Sequence, residues 1–271
     1  MVKKAIIPAA GYGTRSLPVT KVLPKEMFPI NGKPSIHYIV EEAVESGIEE
    51  ILIVVSKYKN MIVDYFDVSL ELEAFLEARN KSFLLEKMSL PEVHIQYVRQ
   101  PYARGLGDAI LLGKSFVGNE PFAVLLPDDI IINNDICATK QLINLYEYEN
   151  SPIVALKYIQ DKWLHKYGVI DGVEKDKGVF QLRSIVEKPK STPPSNLAVM
   201  GRYILTPDIF PILKNVKPDE YDEVQLTDGI LDLLSQRICY GFEIEGERFD
   251  IGFEDDYLQL LQYMKENHFS G

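Results

Sequence analysis

Residues 5–26, AIIPAAGYGTRSLPVTKVLPKE, constrain what this chain can fold into more than any other stretch. The apolar run Ala5-Ile6-Ile7 predicts a buried strand. Pro8-Ala9-Ala10-Gly11-Tyr12-Gly13-Thr14-Arg15 follows as a loop of small residues that ends in a cation. Around Ala10, Gly11, Gly13 and Thr14, backbone N–H groups have room to approach an anion. Arg15, Lys21 and Lys25 then add positive charge in a segment punctuated by Pro18 and Pro24. The combination reads as a loop for a nucleoside triphosphate. It is not a P-loop, because no Gly-Lys-Ser/Thr follows at the required spacing. Nor is it a dinucleotide fingerprint, because the third glycine is missing and prolines replace the expected helix. An ordinary turn would explain Gly11 and Gly13, but not three cations gathered in an acidic chain.

That acidity has consequences. The 271 residues carry a formal net charge of −11, which argues against a nucleic-acid partner and requires phosphate-binding cations to be concentrated locally. The two cysteines, Cys137 and Cys239, have neither metal nor redox spacing, so free thiols in a reducing compartment are expected. The first apolar run is too short for a signal peptide, and no apolar stretch is long enough to span a membrane; a cytoplasmic location is expected.

Strand, helix and strand recur through the first half: a helix over 34–46, then strands over 51–55, 93–98 and 122–126. Such crossovers are right-handed and imply a mainly parallel sheet with ligands at its carboxyl edge. Residues 59–88 read as a charged helical flap. A helix over 136–148 and a strand over 153–159 follow, and then shorter strands at 169–170 and 179–186 joined by turns. A helix is expected to open at Asp222, and a closing helix to run over 255–268. No linker divides the chain, so a single domain over 1–271 is expected, with a nucleotide-binding half to about 135 and a sugar-phosphate-binding half over 136–271.

Three features suggest chemistry. Gln100, after a strand, offers the donor and acceptor that a uracil or thymine edge can match, and Gly105 and Gly107 let backbone complete the contact. Asp128 follows a buried strand and is placed to hold magnesium, which favours carboxylate and phosphate oxygens. Gly168 would let a sugar approach the backbone, while Glu187 and Lys188 place an acceptor for sugar hydroxyls beside a cation for a sugar phosphate. The four histidines, His37, His94, His165 and His268, are scattered and form no nucleophilic arrangement.

In order, G-x-G-T-R-x-L-P-x-T-K (11–21), P-K-E-M (24–27), Q-x(4)-GLG-x-A (100–109), L-P-D (126–128), V-E-K-P-K (186–190) and D-x-G (250–252) resemble the nucleotidyltransferases that make nucleotide sugars. They are most similar to the bacterial UTP–glucose-1-phosphate uridylyltransferases. The resemblance implies an α/β, Rossmann-like three-layer fold with a mixed, mainly parallel central sheet. It implies a homo-oligomer that uses Mg2+ to convert UTP and glucose 1-phosphate into UDP-glucose and pyrophosphate. It assigns base reading to the stretch around Gln100 and Gly105, hexose-phosphate binding to Glu187 and Lys188, a lining role to Val199 and Gly201, and metal binding to Asp128 and Asp250. Arg15, Lys25 and Asp128 then carry catalysis. Two departures stand out: Asp108 replaces the family's common histidine, and Phe253-Glu254-Asp255-Asp256 stands where Asp-Lys is common. A thymidylyltransferase and a nucleotide-sugar-binding regulator without turnover remain alternatives, though the opening L-P-x-T-K and the GLG form favour UTP.

Overall fold

The computed structural model describes residues 1–133 and 135–267. The opening run forms β1 (Lys4–Pro8), whose side chains alternate between two apolar clusters: Ala5 and Ile7 join one, Ile6 the other. Prolines keep the next segment from becoming a helix. It forms three short 3-10 turns, Thr14–Ser16, Val19–Lys21 and Lys25–Met27, and a small ribbon of β2 (Pro29–Ile30) and β3 (Lys33–Pro34). Helix α1 (Ser35–Glu45) buries Ile36, Ile39, Val40 and Ala43 on one face, and β4 (Glu50–Val55) then lies parallel to β1.

The flap is not one helix. It divides into α2 (Asn60–Phe66), α3 (Leu70–Ala78) and a 3-10 segment, Ser82–Met88. The breaks come at Asp67, which is extended, and near Asn80, which has φ 54°. Both are residue types that compete with helical backbone bonding.

Strand β5 (His94–Arg99) is followed by α4 (Gly105–Leu111), α5 (Lys114–Val117), β6 (Phe122–Leu125), β7 (Asp129–Ile132) and α6 (Ala138–Glu149). The second half contributes β8 (Ile153–Tyr158), the hairpin of β9 (Gly168–Asp176) and β10 (Val179–Glu187), and the wholly buried β11 (Leu197–Leu205). Strand β9 is longer than expected because Gly172, which suggests a turn, sits inside it where the register against β10 shifts. After α7 (Ile209–Leu213), helix α8 (Leu226–Leu233) starts later than Asp222, which has φ 61° and belongs to the preceding turn. Strands β12 (Tyr240–Glu243) and β13 (Glu247–Asp250) lead into the closing helix α9 (Glu254–Glu266). The expected end of that helix at His268 lies outside the described residues.

One nine-stranded sheet runs in the order β5-β4-β1-β6-β11-β8-β12-β10-β9. Strands β10 and β11 run against the others, so the sheet is mixed and mainly parallel. Helices α1, α6 and α9 pack into one apolar cluster, and α4, α7 and α8 into the other. Between Val199 and Tyr203, β11 bulges away from β8, and beside that bulge β7 pairs with β13 as a separate antiparallel ribbon. The ribbon sets Asp250 opposite Asp129.

Candidate active site

Asp128 ends the turn after β6, at the carboxyl edge of the parallel strands. Its backbone carbonyl accepts a hydrogen bond from Ile251 N at 2.9 Å, which joins that turn to the end of β13. Two carboxylates distant in sequence thereby share one cation: the Arg15 guanidinium lies 3.7 Å from Asp128 and 3.7 Å from Asp250. Lys25 Nζ donates to Asp128 Oδ2 at 2.5 Å.

The Lys25 turn is fastened to the core next door. Glu26 is fully buried and accepts from Lys59 Nζ at 2.5 Å, and Ser35 Oγ donates to the Lys25 carbonyl at 3.2 Å. Burial would lower the Lys25 ammonium, but Asp128 and Glu26 outweigh it and raise it.

The two carboxyl groups differ. Burial would raise Asp128, yet Lys25 and Arg15 prevail and bring it down to about 2. Asp250 is pushed up to about 6, first by burial and then by the nearby charges of Asp129 and Asp128, against the pull of Arg248 and Arg15. Anionic carboxylates thus stand close enough to repel one another, which is an environment that favours a cation.

A neighbouring network supports this pair. Arg248 on β13 donates to Asp129, to Asp250 at 3.4 Å and to the Tyr167 hydroxyl at 2.9 Å. Asp129 Oδ2 accepts from Gly201 N at 2.8 Å, in the β11 bulge. A Cβ at position 201 would lie 2.6 Å from that oxygen and 2.7 Å from Leu126 Cβ, so the bulge can approach Asp129 only with glycine there. Neither Asp129 nor Arg248 is a candidate from sequence. Their pairing joins positions that share no local motif, and only the β7–β13 ribbon brings them together.

These groups line a cavity of about 480 Å³ with Gly168, Glu187, Lys188, Val199 and Gly201. Glu187 accepts from Thr227 Oγ1 at 3.1 Å and pairs with Lys188 at 3.2 Å. His165, Lys166, Tyr203 and Phe253 also line the cavity, and no sequence motif singles them out. Ala10, Gly11, Gly13 and Thr14 form the loop leading to Arg15. An added Cβ at Gly11 would meet nothing within 4 Å, so that approach is open.

Gln100 and Gly105 do not line this cavity. Gln100 lies at the end of β5 and is 4% exposed. Its side-chain NH2 donates to Asp108 Oδ2 at 2.7 Å and to the Gly105 carbonyl at 3.4 Å. Both partners are acceptors, so the amide oxygen is the end left to receive a donor.

Asp128 and Asp250 give the cavity two hard oxygen donors, enough for a divalent cation that completes its shell with phosphate and water. Among the described residues no group of three or more His, Cys, Asp or Glu side chains forms a closed metal cage. Among them, too, no helix is long and apolar enough to cross a membrane.

Comparisons with known proteins identify the family. The profile described as "Nucleotidyl transferase" matches residues 4–267. A Bacillus subtilis (strain 168) protein, provisionally named UTP–glucose-1-phosphate uridylyltransferase, is 56% identical over 264 residues, 97% of each chain. The UTP–glucose-1-phosphate uridylyltransferase of Staphylococcus haemolyticus (strain JCSC1435) is 50% identical over 254 residues, 93% of this chain and 88% of that one. A crystal structure of UDP-glucose pyrophosphorylase complexed with UDP-glucose superposes with a TM-score of 0.88 at 42% identity, covering 98% of this chain and all of the other. UTP-bound UGPase from Acinetobacter baumannii gives 0.91 at 36% identity, over 99% and 95% of the two chains.

Proposed function

Since this chain belongs to the nucleotidyl transferase family, we propose that it transfers a uridylyl group from UTP to α-D-glucose 1-phosphate, giving UDP-glucose and pyrophosphate. The observation that carries this reading is that Asp128 and Asp250, both met by Arg15 and the first also by Lys25, line one cavity together with Gly168, Glu187 and Lys188. The names of the similar enzymes supply the substrates.

The acceptor phosphate is already an anion, so its attack on the α-phosphate of UTP needs no general base. What the reaction needs is alignment and charge neutralisation. Arg15 and Lys25 are placed to meet charge on the α-phosphate and on departing pyrophosphate. Glu187, fixed by Thr227, is placed to accept hydroxyls of the hexose beside Gly168. Ala10, Gly11, Gly13 and Thr14 cradle the triphosphate with backbone N–H groups. Gln100, with Gly105, reads the base, its free amide oxygen suited to the N3–H of uracil. Asp128 and Asp250 would hold Mg2+, which when bound neutralises phosphoryl oxygens and orients them for displacement.

The finer reading of the fold belongs to the same proposal. The order β5-β4-β1-β6 and the helices packed on both faces support a Rossmann-like three-layer arrangement. Strands from both halves share one sheet, which supports a single domain. A homo-oligomer in the cytoplasm belongs to the same proposal and rests on the family resemblance.

Pyrophosphate release from glucose 1-phosphate, measured in parallel with UTP, dTTP and ATP, tests the function. UTP is expected to give the highest kcat/KM. Faster turnover with dTTP would make the protein a thymidylyltransferase, and no release with any nucleotide would overturn enzymatic function.

A further inference from the structure

Among the described residues, four Lys and Arg side chains line the cavity, and three of them face carboxylates: Arg15 faces Asp128 and Asp250, Arg248 faces Asp129, and Lys188 faces Glu187. The fourth, Lys166, has no carboxylate in ion-pair range among the described residues. Two aromatic rings hold it instead. Its ammonium lies 3.9 Å from the centroid of Phe253 and 4.1 Å from that of Trp163.

The difference is chemical. A carboxylate cancels an ammonium's charge, whereas a ring face attracts it through the quadrupole and leaves the net charge in place. Lys166 is therefore positioned without being neutralised, in a cavity where every other cation is already matched. Its location narrows the possible anion. Lys166 lies two residues before Gly168, at the start of β9, and Phe253 lies three residues after Asp250, at the end of β13. The ammonium thus spans the gap between the hexose side of the cavity and the acidic pair. The Phe253 ring also carries the Arg15 guanidinium at 4.4 Å, which ties Lys166 to the cation that contacts both carboxylates.

We propose that Lys166 binds the phosphate of the incoming hexose 1-phosphate and sets it against the nucleotide. This rests on the uridylyltransferase reading, since a phosphate joined to a hexose is the group that must occupy that gap. Lys188, beside Glu187 in the same cavity, then meets the same phosphate from the hexose side.

Steady-state kinetics of Lys166→Met test the proposal. Methionine keeps an unbranched stem and packs well on aromatic rings, so the melting temperature should stay at the wild-type value. KM for glucose 1-phosphate should rise roughly tenfold or more, the loss of one charge-assisted hydrogen bond, while KM for UTP changes less than about twofold. Inorganic phosphate, used as a competitor of glucose 1-phosphate, should lose potency by a similar factor. Lys166→Arg, which keeps the charge and the ring contact, should restore most of the affinity. An unchanged KM for glucose 1-phosphate in an active, folded Lys166→Met protein would overturn the role of Lys166 alone. So would equal losses for both substrates. Wild-type protein that releases no pyrophosphate would overturn the uridylyltransferase reading, and this proposal with it.

Discussion

Asp108 decides which way the Gln100 amide points. With its NH2 committed to the carboxylate and to the Gly105 carbonyl, Gln100 presents oxygen, which can accept from a protonated ring nitrogen such as N3 of uracil and not from the bare N3 of cytosine. Asp108→Asn lets either amide turn over, so the preference for UTP over CTP should fall about tenfold, read as a ratio of kcat/KM values. An unchanged ratio in Asp108→Asn, with preference lost in Gln100→Ala, would show that the base is read without Asp108. At the charged centre, Lys25→Ala and Asp128→Ala should each lower kcat about 100-fold or more while circular dichroism shows an intact fold. Near-normal kcat in either would remove that residue from the chemistry. Residues such as Arg15, Lys25, Asp128 and Asp250 are legible in sequence because each sits in a short motif. Asp129, Arg248, Lys166 and Phe253 are not: each acts through a partner far along the chain, and an Asp next to Asp128 or a Lys before a Tyr carries no local mark of that partner.

Helix α1 and strand β11 are joined by a deeply buried ion pair. Arg202, 0% exposed, makes two bonds to Glu42, Nε to Oε1 at 2.9 Å and Nη2 to Oε2 at 2.6 Å. It also donates to the carbonyls of Leu126 and Asp129, which flank Asp128. Arg202→Met leaves Glu42 buried without its cation, and denaturant unfolding should register a loss of about 3–5 kcal/mol. The pH dependence has a definite sign. Burial would raise the Glu42 carboxyl, but Arg202 and Thr139 hold it lowered. The unfolded chain therefore binds more protons in acid, and the stability from this pair is complete above pH 4.5, the ordinary glutamate value, and is lost as pH falls through the folded value. Arg202→Met should lack that acid-side loss; an identical acid profile in wild type and variant would exclude the pair as its source. Element boundaries followed the sequence where apolar periodicity was strong, as in α1 and β4. The flap and the opening of α8 did not, because Asp67, Asn80 and Asp222 adopt backbone conformations that periodicity does not register.

Across the whole molecule, both halves contribute strands to one sheet, and the β7–β13 ribbon ties residues near the middle to residues near the end. The halves should therefore unfold together. Urea transitions followed by far-ultraviolet circular dichroism and by fluorescence of the single tryptophan, Trp163 on the sugar side, should coincide. Separated midpoints would mean that the nucleotide half is stable alone. The mainly parallel sheet shared by both halves could be read from the strand–helix–strand succession, but its strand order could not, because β11 inserts between β6 and β8 against their direction and long after β6 in the chain. The ribbon also sets an order of events during protein synthesis. Asp128 leaves the ribosome well before Asp250, and the two carboxylates can be brought together only once β13 has been made and paired with β7. A nascent polypeptide that stops short of β13 should therefore lack the paired acidic site and be unable to consume nucleotide.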